Sequence, residues 1–241
     1  MYVGINVKIS SKYMPKNSPF DNINTPLYRV VGDTVALWTL ANLGFYIIFP
    51  ILGLEKSYNS SPISIALYYL FWAVVGIWIF WDLFIRQLEF KRRVWLWVLL
   101  CLLSAGLIWS LLHLLTLMPG LNEALTPFVD ILPATVWYFL PKASEILVQQ
   151  VIISALVLAL HSRFHSLGDV KLWYVLTFGS AHVALFALSG TPTPYATLMT
   201  LGAVASTFVF PHFILKVRGG FLYSYMIHLC FYISLAFLLR I

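Results

Sequence analysis

Charge is what this sequence has least of. Asp, Glu, Lys and Arg make up 10% of the 241 residues, against 61% hydrophobic residues. Soluble domains carry roughly 25% charged and about 45–50% apolar residues. The chain therefore has too little polar surface to cover a core in water, which excludes a soluble domain, a disordered chain and an ordinary nucleic-acid-binding module. No stripe of interleaved basic and aromatic residues points to nucleic acid as a partner. Cysteine is also scarce: Cys101 and Cys230 both fall inside apolar runs, where a thiol acts as a small hydrophobe rather than half a disulfide. No apolar leader opens the chain. Residues 1–33 form a polar segment carrying Lys8, Lys12, Lys16 and Arg29, which argues against a cleavable signal peptide.

What remains is a series of apolar runs. About 20 helical residues at roughly 1.5 Å rise cross the hydrocarbon layer. Runs at 35–54, 63–81, 94–118, 172–188, 195–215 and 221–239 meet that length or nearly so. Between 125 and 160 the pattern is broken by Pro127, Pro133 and Pro141, and by Asp130, Lys142 and Glu145. Proline removes a backbone donor and clashes with the preceding turn. This region reads as a short fourth helix over 125–140 and a fifth over about 143–161. The expectation is an all-α polytopic integral membrane protein of about eight hydrophobic helices, residues 34–241 forming one transmembrane domain.

The surplus of Lys and Arg, 15 against 9 Asp and Glu, reads as loop topology and attraction to anionic lipid headgroups. Arg86, Lys91, Arg92 and Arg93 follow the second run. They sit on the same side as the amino terminus, which places both in the cytoplasm. A re-entrant fourth helix sharpens this asymmetry relative to a spanning one. The inner, or plasma, membrane is the expected location.

Ionisable groups inside apolar spans are costly and are default functional candidates. Asp82, Asp130 and His212 lie near span ends, where the interface accommodates them, and His113 has no second ionisable group at helical spacing. Three others form a pattern. Glu145 is followed by Gln149 at i+4 and Gln150 at i+5, three polar groups near one side of a helix, His182 follows Phe178 by four residues, and His228 lies in the last run. A carboxylate and two imidazoles converging in a dry interior can activate water and stabilise an oxyanion. They are equally acceptable ligands for a divalent metal such as zinc, so metal-dependent and metal-free chemistry both stay open.

At these residues the chain resembles the CPBP family, which comprises CAAX prenyl proteases of the Ras-converting type and bacteriocin-processing enzymes. The family pattern is Glu-Glu-x-x-x-Arg, then Phe-x-x-x-His, then His-x-x-x-Asn/Asp. Glu145 matches the second glutamate, Phe178 and His182 match the second motif in full, and His228 matches the last histidine. The likeness covers about residues 140–241. Ser144 stands in place of the first glutamate, Gln149 in place of the arginine and Tyr232 in place of Asn or Asp.

The resemblance implies an eight-helix intramembrane endopeptidase. In it Glu145 is the base, His182 positions water, His228 steadies the oxyanion, and Gln149, Phe178, Tyr232 and Ser144 support them. The substrate is the end of a membrane-attached peptide. The three departures favour a second reading, a non-catalytic scaffold or a peptide-binding accessory or immunity protein. A proton-coupled transporter is a third class, but it lacks the inverted repeat common in that class.

Overall fold

The computed structural model describes residues 26–55, 57–84, 136–188, 193–217 and 219–238. Every regular element among them is helical. Helix α1 is Leu27–Ile51, α2 Pro62–Ile79, α3 the short Trp81–Phe84 and α4 Phe139–Phe164. Helix α5 runs from Leu167–Tyr174 through a π-helical turn, Val175–Gly179, into Ser180–Leu188. Helices α6 and α7 are Thr193–Lys216 and Gly220–Leu238. Four segments are long and apolar enough to cross a membrane: Leu27–Ile51, Pro62–Ile79, Phe139–Phe164 and Met199–Lys216. The expected third run, 94–118, and the expected fourth helix up to residue 135 lie outside the described residues.

Local chemistry explains where the boundaries differ from the apolar runs. Helix α1 starts well before residue 35, directly after Pro26, so the end of the expected polar segment belongs to it. Its first turns are polar, and Arg29 faces Asp33 one turn on at 3.7 Å. Gly53, at φ +68, closes α1 in the left-handed conformation that a Cβ disfavours. Pro62 opens α2, where its missing N–H is no loss.

The largest correction concerns Pro141. It was expected to separate two helices, yet a 3-10 turn at Val136–Tyr138 leads straight into α4. Pro141 falls in the first turn, where no intrahelical partner awaits its nitrogen. At the far end His165, at φ 56, terminates α4 by returning its N–H to the His161 carbonyl at 2.9 Å.

Helix α4 is the hub. In its most apolar stretch 78% of residues are buried, against 28%, 28% and 22% in the other three candidate spans. It packs against α1, α2, α5, α6 and α7. Small residues let neighbouring helices approach closely. Gly76 on α2 is one such point. A Cβ there would lie 2.9 Å from Leu37 of α1 and 3.0 Å from Val151 of α4.

Two π-helical turns widen otherwise regular helices. The one at Gly44–Ile48 in α1 follows Ala41, whose carbonyl accepts the Tyr68 hydroxyl from α2 at 2.6 Å. A side chain entering the backbone ladder is a recognised cause of such a distortion. In α5, Thr177 donates its hydroxyl to the Trp173 carbonyl at 2.8 Å, and Ser180 donates to the carbonyls of Leu176 and Thr177. That turn ends just before His182.

Candidate functional site

The first turns of α4 carry the most polar cluster within a candidate span. Lys142 and Glu145, three residues apart, form an ion pair at 2.7 Å, with side chains only 9% and 18% exposed. The same carboxylate oxygen, Oε2, accepts the Tyr58 hydroxyl at 2.9 Å, and Oε1 accepts the Gln149 amide at 2.8 Å. Tyr58 comes from the link between α1 and α2 and is buried beside Phe45, Tyr69 and Tyr138. Its burial, with the negative charge of Glu145 second, pushes the phenol well above its usual value near 10. Tyr58 is accordingly a neutral donor throughout the ordinary pH range.

The Lys142 ammonium also lies over an aromatic face. Its Nζ is 4.1 Å from the Tyr232 ring centroid and 5.7 Å from that of Tyr58, both within cation–π range. Tyr232 sits on α7 against His228, with ring centroids 5.5 Å apart. The other side of the imidazole meets Phe210 of α6 at 5.6 Å. Tyr225, one turn before His228, donates its hydroxyl to the Ala143 carbonyl at 3.2 Å. The start of α4 and the middle of α7 are thus joined by named contacts.

On α5 the imidazole of His182 stands 4.3 Å from the Phe178 ring, which in turn stacks on Tyr174 at 5.0 Å. His182 Nδ1 is 2.9 Å from the Phe178 carbonyl oxygen. A carbonyl only accepts, so Nδ1 carries the proton and Nε2 keeps its lone pair. The four-residue spacing of Phe178 and His182 therefore fixes a tautomer, quite apart from any motif.

The structure brings together some of the residues singled out in the sequence. Glu145 and Gln149 bond directly, and Tyr232 and His228 reach them through Lys142. Neither histidine is among the three donors to the Glu145 carboxylate. Ser144 turns away, donating its hydroxyl to Leu140 of its own helix at 3.1 Å. Asp82 and His212 are exposed, as expected of residues near span ends. His113 and Asp130 lie outside the described residues. Among the described residues no three His, Cys, Asp or Glu side chains are grouped as a metal site. Glu145, His182 and His228 have the donor types for zinc but not that grouping.

Two residues of the cluster were not singled out. Lys142 was legible, because a cation three residues before a glutamate is a standard helical pair. Tyr58 was not, since nothing in the spacing links a loop tyrosine to a carboxylate 87 residues later. Against known proteins, no protein-family profile, curated protein or solved structure matches this chain.

Proposed function

We propose that the chain is a divergent intramembrane endopeptidase of the CPBP type. It would have about eight hydrophobic helices, a cytoplasmic amino terminus and a place in the plasma membrane, cleaving a membrane-attached peptide. One observation carries the reading. The carboxylate of Glu145 and the imidazole of His228, far apart in sequence, belong to one buried cluster joined by Lys142 and Tyr232.

The chemistry follows from the donors. A carboxylate offers about four acceptor positions, and Tyr58, Lys142 and Gln149 take three. The fourth accepts a water proton as that water's oxygen bonds to the scissile carbonyl carbon. His182, with its lone pair on Nε2, orients the water. His228 donates to the developing oxyanion. Collapse of the tetrahedral intermediate breaks the C–N bond, and Glu145 returns the proton to the leaving amine. Lys142 supplies the fixed positive charge that the missing arginine supplies in the family pattern.

A second reading is favoured by that same saturation of Glu145. A carboxylate with three of its acceptor positions taken leaves little room for a water, and with Ser144, Gln149 and Tyr232 in place of the family residues it suits a non-catalytic relative that binds peptides. Mass spectrometry of new peptide termini separates the two, comparing membranes with wild-type protein, Glu145→Ala and His182→Ala, each with and without a zinc chelator. Termini made only by the wild type establish the peptidase. Identical profiles from folded, equally abundant proteins leave the binding protein. Loss on chelation, restored by zinc, makes the enzyme metal-dependent.

A further inference from the structure

Gln150 and Ser154 on α4 take no part in the cluster around Glu145. Both are completely buried, at 0% exposure. Among the described residues, neither amide atom of Gln150 nor the hydroxyl of Ser154 has a hydrogen-bond partner. Buried polar groups are nearly always satisfied, and a bare one in a low-polarity interior carries its full desolvation penalty. Residues four apart share one helix face, so these three atoms are presented together. Ala143, seven residues before Gln150, lies on that face too, and its carbonyl receives the Tyr225 hydroxyl from α7. Gln150 and Ser154 thus form one buried polar seam along α4. Among the described residues, the Nδ1 of His228 on α7 is another buried atom without a partner.

We propose that this seam binds water, one or two molecules held by the Gln150 amide and the Ser154 hydroxyl. The chemistry of the atoms selects the ligand. Gln150 Nε2 must be met by an acceptor and Oε1 by a donor, while the Ser154 hydroxyl serves either way. A cation satisfies the oxygens and leaves Nε2 bare; an apolar ligand satisfies nothing. Water does both in the smallest volume and needs only two to four polar partners. Gln150 lies about 7 Å along the helix axis from Glu145, at roughly 1.5 Å per residue. Water binding stands on the bare atoms alone. Its use as a reserve for hydrolysis rests on the peptidase reading above.

The test is hydroxyl-radical footprinting by water radiolysis, on the full chain in nanodiscs of phosphatidylcholine and phosphatidylglycerol. Ile146 and Val157 share the face of Gln150 and Ser154, while Val30 and Ile65 are equally buried in other helices. Internal water is expected to label Ile146 and Val157 well above Val30 and Ile65. Ser154→Ala should reduce that labelling, and Gln150→Leu with Ser154→Ala should abolish it. Equal labelling at all four positions in the wild type overturns the proposal, as does labelling that both variants leave unchanged. A thermal midpoint that rises when the polar atoms are removed overturns it too, because only bare groups burden the fold. Terminus profiles of the same variants report separately. Cleavage unchanged in a variant that has lost the labelling removes the reserve role and leaves the water site standing.

Discussion

The ion pair of Lys142 and Glu145 offers the most quantitative test of the cluster. With side chains 9% and 18% exposed, neither charge has enough contact with solvent to be screened. Lys142→Met removes one of three donors from the carboxylate and the cation from the Tyr232 face, leaving Glu145 charged in a low-polarity interior. Breaking one side of a buried pair costs about 3–5 kcal/mol. Glu145→Gln strands the ammonium in the same way, with a cost in the same range of about 3–5 kcal/mol. The double variant buries no lone charge, and neutral replacements of a whole pair are often tolerated. Its loss should fall short of the sum of the singles by at least about 3 kcal/mol, the upper end of the usual coupling for residues in direct contact. Reversible unfolding in bicelles, followed by tryptophan fluorescence, measures all four corners of the cycle. Additivity to within about 0.5 kcal/mol would refute the argument, since it would mean that the charges do not meet in the folded protein.

Two other outcomes follow from the packing and from Tyr58. Gly76→Val should cost about 1–3 kcal/mol by overpacking, because the added carbons enter space held by Leu37 and Val151. Gly32→Ala on α1, with nothing within 4 Å, should be neutral or slightly stabilising in the same unfolding assay; equal losses at the two sites would contradict the close approach. Tyr58 has its folded pKa raised by burial, so the stability tied to its neutral form is complete below about pH 10. It is lost as pH rises from there toward the folded pKa, because the unfolded chain releases that proton first. The thermal midpoint of the wild type should therefore fall more steeply between pH 9 and about 11 than that of Tyr58→Phe, and parallel curves would show that Tyr58 is not buried against Glu145.

Among the described residues, the apolar runs at 35–54, 63–81, 172–188, 195–215 and 221–239 fall largely on helices, because a helix satisfies its own backbone polar groups where the side chains cannot. Their ends were less legible. Helix α1 begins in a polar stretch because a one-turn spacing of Arg29 and Asp33 suits an exposed helical face. Pro141 looked like a break because the cost of proline depends on its turn, and only the structure shows that Phe139 begins the helix. Glu145 stood out by the cost of a carboxylate in an apolar run. Its surroundings did not, since Tyr58 and Tyr232 arrive from other elements by packing that no local spacing encodes. The tautomer of His182 was implicit in the four-residue step from Phe178. The meeting of His228 with Lys142 depended on how α7 crosses α4.

The three-residue spacing of Lys142 and Glu145 has a consequence for any crossing of a bilayer by α4. A lone charge in an apolar span is costly, less so near its end, and both residues lie in the first turns of α4. Tyr58 and Tyr232 lie on separate segments, so neither is in place until the bundle assembles. The ion pair, by contrast, closes within one helical turn of the same segment. Helix α4 therefore carries a neutralising partner for each charge, and Gln149 completes the second carboxylate oxygen from the next turn. The polar heart of the bundle can form already paired, before any neighbour has docked.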